Sequence, residues 1–379
     1  MTAVESVLIV GGGVGGLTAA VALRQRGIEV DLIEKNSAHT VYGVDIIQPN
    51  NALRALDAIG LAGECVKRGG AFDHVRVRDR HGNLIGGGKS PGEAAPHLPA
   101  VNGITRPILQ EILLTAAHEA GAQIRVGVEI KTWSDRGDRV MVTFSDGSSR
   151  EYDLLIGADG VFSQLRKDLF PNAPIPVFSG VAGWRYNLPR PAEVEHGELW
   201  YGEKSKVGLV PLSPSLMYIF IVTHEPDNPF MSTEGLAVKM RERLSEYGGL
   251  VAELRERIVD DNAVVYKALD HLLLPAPWYK GRAILIGDAA HATVPHLAQG
   301  AAMAIEDAVL LAELLARDAA VEELMQEFMD RRFERSRLVV ETSAQLVDWE
   351  IATWEGPENF NQQAGIASAH AQHELMKTY

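Results

Sequence analysis

The sequence predicts an α/β protein in which a Rossmann-like dinucleotide-binding domain is interleaved with an antiparallel-sheet substrate domain and followed by a helical C-terminal tail. Three observations predict it. A β-branched run, a glycine-rich turn and a helical stretch open the chain. Short alternating apolar runs fill its middle, and a late apolar run restores a parallel-type strand before helical periodicity takes over.

Val7-Leu8-Ile9-Val10 reads as a buried parallel strand running into Gly11-Gly12-Gly13-Val14-Gly15-Gly16. Leu17 to Arg26 is helical in character, with Gly27 suited to the position after a helix end. Glu29 to Glu34 alternates as a second strand, completing a βαβ unit. Asn50 to Val66 reads as helix and His74 to Arg78 as strand. The Gly- and Pro-rich stretch from Gly86 to Gly103 reads as an ordered loop, and Ile108 to Ala120 as helix. Ile124 to Val126 and Val140 to Phe144 read as strands, Asp146-Gly147 as a hairpin turn, and Asp153 to Gly157 as another buried strand. Phe178 to Val222 has the short alternation of an antiparallel sheet, Ala283 to Gly287 returns to the first domain, and helices run from Ala301 onward. The expected division assigns 1–70, 101–172 and 279–320 to the dinucleotide domain. It assigns 71–100 and 173–278 to the substrate domain, and 321–379 to the C-terminal helices.

The 379 residues, 46% hydrophobic and 23% charged, suffice for two domains with a large core. A formal net charge of −14 without a basic run argues against a nucleic-acid partner. The single cysteine, Cys65, precludes an internal disulfide and is expected to be a thiol without chemistry. The N-terminus lacks a basic region before its short apolar run, and no run approaches the ~20 apolar residues that span a bilayer. A cytoplasmic protein, monomer or homodimer, without a membrane partner is expected. His370 and His373 are three apart in the tail, but no metal site is expected without further ligands.

Gly11, Gly13 and Gly16 form a GxGxxG between a strand and a helix, the context in which the motif carries meaning. The first glycine permits the tight turn, the second lets the backbone approach a pyrophosphate, and the third lets helix and strand pack closely. The helix start then offers free N–H groups and partial positive charge to phosphates. Glu34, at the end of the second strand, stands where a carboxylate accepts ribose hydroxyls and repels a 2′-phosphate. Gly15 and Lys35 complete the candidate residues of this site.

Two later segments identify the dinucleotide. Gly157-Ala158-Asp159-Gly160 follows a strand, with Arg166 six residues on. Gly287-Asp288-Ala289-Ala290-His291 leads to Pro295 and then Gln299-Gly300-Ala301-Ala302-Met303 at a helix start. With the N-terminal turn, these resemble the signatures of the class A flavoprotein aromatic hydroxylases, the para-hydroxybenzoate hydroxylase-like group. The urate and salicylate hydroxylase type is nearest, and the resemblance runs from Val7 to about Leu315. It implies that the Rossmann-like domain binds FAD. Asp288 is then expected on the ribityl chain, although an Asp here can also serve a turn. Pro295 is expected against the flavin ring, and Gly300 and Ala301 at a helix end that stabilises the reduced flavin's negative edge. Asp159 is implied in FAD and nicotinamide binding, with a structural turn as the alternative. Arg106, just before a helix, matches the family arginine that contacts FAD. Val41-Tyr42-Gly43-Val44-Asp45-Ile46 departs from the family's Gly-Ala-Gly-Ile-like turn by adding bulk and a charge.

The implied activity is a single-component, NAD(P)H-dependent monooxygenase that hydroxylates a small aromatic or heteroaromatic substrate with molecular oxygen through a flavin C4a-hydroperoxide. NADH or NADPH is expected to bind transiently, since no second strand–GxGxxG–helix unit exists to hold it. Deprotonating a substrate hydroxyl makes a ring more nucleophilic, so a base or relay is expected. Lys206 and Tyr218 fall on adjacent β-segments, where urate-type enzymes place a basic residue and a tyrosine facing the flavin. His296 follows Pro295, and these three are the catalytic candidates. Arg185 and Tyr201 are the substrate-binding candidates. Each has an ordinary structural alternative: a sheet residue, an ion pair, or a loop histidine bonded to a carbonyl. His291 is expected to be structural, and Trp349 and Trp354 to pack the terminal helices. Two other functions fit the same sequence: an FAD-dependent dehydrogenase or reductase of this fold, and a non-catalytic flavin-binding regulatory protein.

Overall fold

A computed structural model describes residues 4–37, 45–355 and 361–379. Its first sheet has six strands in the order Tyr279–Lys280, Ala283–Leu285, Leu154–Gly157, Ser6–Val10, Glu29–Glu34, Gln123–Val126. All neighbours run parallel except the two-residue strand Tyr279–Lys280 at one edge. The central strands are buried on both faces, which explains their unbroken apolar runs. Helices Val14–Arg24, Arg106–Glu119 and Gly300–Leu315 share one core with this sheet and with the three-stranded sheet of Ile130–Asp135, Val140–Phe144 and Ser149–Tyr152.

The second large sheet has seven strands, ordered Val265–His271, Val177–Pro189, Leu216–His224, Ser205–Pro211, Gly197–Tyr201, His74–Asp79, Leu84–Lys89. One face packs on helices Leu236–Arg243 and Gly249–Arg255 through Trp184, Leu209, Ile219 and Ile221. The alternating pattern of the middle sequence is thus the pleat of this sheet. Ile46–Pro49, Val101–Ile104 and Gly70–Phe72 form a small sheet against it.

Two sequence expectations change. Asn50 to Val66 is two helices, Asn50–Asp57 and Ala62–Arg68, because Gly60 (φ 77°) turns the chain in a conformation that favours glycine. The glycine stretch expected as loop begins as strand Leu84–Lys89: its register with His74–Asp79 outweighs its low β-propensity. Cys65 is buried, and burial pushes its thiol up to about 11, away from reactivity. Among the described residues, no helix is long and apolar enough to cross a membrane.

The long helix Val321–Glu355 lies across both large units. Near its start Arg332 reaches the helix Gly300–Leu315, and near its end Val347, Ile351 and Trp354 pack with Val181, Val222 and Leu269 of the seven-stranded sheet. Trp349 packs with Leu297 and Ala371, tying in the last helix, Asn361–Met376.

Candidate active site

The glycine turn is built by close backbone approach. Gly11 has φ 111°, and a Cβ there would lie 2.3 Å from the Ala158 carbonyl oxygen. A Cβ on Gly16 would lie 2.0 Å from the Gly11 carbonyl oxygen, and one on Gly15 would touch Ala304 at 3.3 Å. Gly13 differs: a Cβ there meets nothing within 4 Å. That space lies at the N-cap of the helix Val14–Arg24, where free N–H groups favour an anion. Glu34 accepts from the Gly12 amide at 3.0 Å and from the Asn36 amide at 2.9 Å, which fixes its carboxylate beside the turn. Lys35 follows it and is exposed.

The other two motifs converge on the same strand ends. Asp159 caps the helix Gln164–Leu169 with one oxygen, accepting from Gln164 at 2.8 Å and Leu165 at 3.2 Å. Its other oxygen is buried without a hydrogen-bond partner among the described residues. The turn role and an open acceptor therefore coexist in one side chain. Arg166 is buried and donates to the carbonyls of Val161 and Ala289, joining this motif to the next. Asp288 begins the short helix Asp288–His291 with its side chain exposed.

The Gly287 amide donates to Asp307 at 2.9 Å, and His291 bonds the same carboxylate at 2.6 Å. Burial alone would raise the Asp307 pKa, but His291 and Arg332 hold it at about 2. His291 is thus structural, a buried prop beneath the Gly287-Asp288 turn. Past Pro295, which is exposed, Ala298 adopts φ 55° and the chain enters the helix Gly300–Leu315. Gly300 and Ala301 at its start are half-buried. Arg106 opens the helix Arg106–Glu119, capped by the Thr105 hydroxyl.

The four sheet candidates share one face of the seven-stranded sheet. Lys206 is directly opposite Tyr201 and Val222, and Tyr218 is opposite Asn187 and Val210. Arg185 is opposite Phe220. Residues in direct register point the same way, so Tyr201, Lys206, Arg185 and Tyr218 all lie on the face turned away from helices Leu236–Arg243 and Gly249–Arg255. Lys206 and Tyr218 do not touch, however. Four residues of register separate them, about 13 Å along the strands, with Phe220 and Gly208 between.

Lys206 anchors one polar cluster. Its ammonium donates to Glu350 of the long helix, and His296 Nε2 bonds the other Glu350 oxygen at 3.0 Å. Burial would raise the Glu350 pKa, yet Lys206 and His296 hold it at about 2. Burial opposes the Lys206 charge, but Glu350 outweighs it and the pKa rises. His296 is pushed down by burial and by Lys206, with Glu350 opposing, so the neutral imidazole is favoured. The nearby Tyr201 hydroxyl is raised by burial. His296 is therefore a loop histidine bonded to a carboxylate, not to a backbone carbonyl.

The second cluster holds Arg185, Tyr218, Asp45 and Asn187. Burial raises the Asp45 pKa, against a hydrogen bond from Asn187, one from the Arg106 amide at 3.4 Å, and the charge of Arg185. Burial also raises the Tyr218 hydroxyl. The departure at residues 41–44 lies outside the described residues.

Three participants escaped the sequence reading. Gln110 donates to the Gly12 carbonyl at 2.7 Å, locking a helix to the glycine turn. Asn187 and Glu350 complete the two clusters, and Glu350 lies 144 residues from Lys206 in the chain. Only the helical position of Gln110, four residues after Arg106, offered a signal.

These features suit FAD. An open cradle at Gly13, a buried oxygen on Asp159 without a partner among the described residues, and an exposed acid at Asp288 offer an anion cradle and acceptors for hydroxyls. Comparison with known proteins agrees. A family model described as FAD binding domain matches residues 5–343. The chain is 33% identical over 361 residues to 2-heptyl-3-hydroxy-4(1H)-quinolone synthase of Pseudomonas aeruginosa, covering 91% of this chain and 90% of that protein. It is 27% identical over 342 residues to an FAD-dependent urate hydroxylase of Klebsiella pneumoniae, covering 88% and 87%. A crystal structure of Klebsiella pneumoniae HpxO with FAD and uric acid shares the fold, with TM-score 0.83 at 23% identity and coverage of 97% of each chain. The chain belongs to this FAD-binding domain family and is a flavoprotein monooxygenase of the aromatic hydroxylase type.

Proposed function

We propose that this monooxygenase hydroxylates a small N-heteroaromatic ring carrying an ionisable oxo or hydroxy group, with NADH or NADPH as transient hydride donor. The observation that carries this reading is the order of groups on the inner sheet face. Lys206, Tyr201 and Val222 stand at one end, Tyr218 with Asn187 and Val210 at the other, and Arg185, Phe220 and Gly208 share the level between. A flat ring with polar edges suits such a surface, where apolar walls bind and a few polar groups orient. The named relatives point the same way, since quinolone and urate are both oxygenated N-heterocycles.

FAD, when bound, supplies hydride acceptance and oxygen activation. The protein supplies the rest. The turn at Gly11, Gly13, Gly15 and Gly16 and the helix start behind it would hold the pyrophosphate, with Glu34 on the ribose and Lys35 beside it. Asp288 would hold the ribityl chain, and Asp159 and Arg106 would meet the cofactor. Pro295, Gly300 and Ala301 would border the ring. Tyr201, Lys206, Arg185 and Tyr218 orient the substrate, and His296 is the base. Residues 1–70, 101–172 and 279–320 would carry the cofactor, 71–100 and 173–278 the substrate, and 321–379 would close over both.

The test is a screen of uric acid, 6-hydroxynicotinate and an unsubstituted hydroxyquinoline for stimulated NADH and NADPH oxidation by FAD-loaded enzyme. Mass spectrometry under isotopically labelled oxygen reads the product. One labelled atom per product molecule is expected. Product formed without oxygen, or flavin reduction that never yields labelled product from such rings, overturns the proposal.

A further inference from the structure

We propose that Glu350 is a positioning residue for the hydroxylation: it holds His296 so that the free Nδ1 takes the proton of the substrate's ring hydroxyl or N–H. The inference rests on the N-heteroaromatic hydroxylase reading above and assigns its proton transfer to a triad closed by the long C-terminal helix.

The geometry fixes the tautomer. A carboxylate only accepts, so the neutral imidazole facing Glu350 must carry its proton on Nε2. Nδ1 is then an acceptor. It is buried without a partner among the described residues, on a side chain only 2% exposed. Buried acceptors are normally satisfied, so one left open calls for a role, and a ligand proton gives it one. Val294 precedes the loop and packs with Val222 and Val347, which keeps the surroundings apolar.

Charge accounting supports the same direction of proton flow. The charged and titratable groups of this cluster are Lys206 and Tyr201 from the sheet and Glu350 from the long helix, with Tyr247 feeling the Glu350 charge. At rest Lys206 and Glu350 cancel, and burial keeps the imidazole neutral. In the step, the substrate O–H or N–H bond breaks, an Nδ1–H bond forms, and the electron pair stays on the ring. Glu350 then neutralises the imidazolium, and the Lys206 ammonium is left to balance the ring anion. An anionic ring is the better nucleophile toward activated oxygen.

The experiment uses full-length, FAD-loaded enzyme with uric acid, 6-hydroxynicotinate and hydroxyquinoline as probes. Ultraviolet difference spectra read the ionisation midpoint of each bound probe, and product per NADH reads coupling. Glu350→Gln is expected to raise the midpoint by roughly 1–3 pH units and to cut product per NADH about ten-fold, with Glu350→Asp recovering part of both. His296→Asn, which leaves the Lys206–Glu350 pair intact, is expected to lower hydroxylation roughly 10²-fold or more. The double variant should then be no worse than His296→Asn alone. A Glu350→Gln enzyme that is less heat-stable yet keeps the wild-type midpoint and coupling makes Glu350 a structural anchor and overturns the inference. So does a wild-type midpoint in His296→Asn, which decides the matter even if Glu350→Gln does not fold. The midpoint needs only binding. A shifted midpoint in enzyme that yields no hydroxylated product therefore sinks the hydroxylase reading while the proton assignment stands.

Discussion

At the scale of single residues, the glycine turn separates two duties that the motif merges. Gly16 is needed by the fold, because its Cβ would sit 2.0 Å from a backbone oxygen that cannot retreat. Gly13 has an extended backbone (φ −79°, ψ −174°) and open space about it, so alanine there costs the fold little. Gly13→Ala is expected to leave the apoprotein's melting temperature within error while weakening FAD by roughly ten-fold, about 1.4 kcal/mol. Gly16→Ala is expected to lose the folded state itself. Equal melting losses in both variants, with FAD affinity kept in Gly13→Ala, would remove the pyrophosphate from Gly13. The motif was legible because strand, turn and helix are contiguous in the chain. Glu350 was not: a glutamate on an amphipathic helix reads as solvated, and nothing local marks the lysine and histidine that it meets.

At the scale of elements, the helix Gly300–Leu315 carries a pair of acids that periodicity would assign to solvent. Glu306 and Asp307 are 0% exposed, answered by Arg332, also 0% exposed, and by Arg335. Asp307 accepts from the Gly287 amide, so the Gly287-Asp288 turn is held by the helix Gly300–Leu315. Removing one member leaves buried charge without a counterion. Arg332→Met is expected to cost about 3–5 kcal/mol and to release FAD, measured by denaturant unfolding and by flavin content of the purified protein. Unchanged stability would show that the acids find protons or water instead. The same pair sets an acid limit. Asp307 lies at about 2 in the fold and near 3.8 when unfolded, so its contribution is complete above about 4 and is lost as pH falls toward 2. Arg332→Met should lose that part of the acid transition, and thermal scans between those pH values measure it. The split of Asn50 to Val66 and the strand within the glycine stretch escaped prediction for a related reason: a left-handed glycine and a long-range strand partner decide them, and local propensity records neither.

At the scale of the whole molecule, the long helix Val321–Glu355 joins the Gly287-Asp288 turn of the first unit to the seven-stranded sheet of the second. Arg332 and Glu350 are 18 residues apart along it, about 27 Å at the helical rise. One end supports the Gly287-Asp288 turn, and the other delivers a carboxylate to the Lys206–His296 cluster. A perturbation confined to the far end should therefore separate the two functions. Val347 is buried against Val181, Val222 and Leu269, one helical turn before Ile351, and makes no polar contact with the triad. Val347→Ala removes two buried methyl groups at roughly 1–2 kcal/mol, a loss the protein survives, and loosens this end of the helix on the sheet. FAD content is expected to stay at the wild-type level, since the Arg332 end is untouched. NADH oxidation is expected to continue with a larger share ending as hydrogen peroxide, because a displaced Glu350 no longer holds His296 over the ring. Peroxide per NADH, read alongside flavin content and melting temperature, decides it. A variant that loses stability and flavin together, with coupling intact in whatever remains folded, would show that the helix only clamps the cofactor domain and that the substrate face works without it.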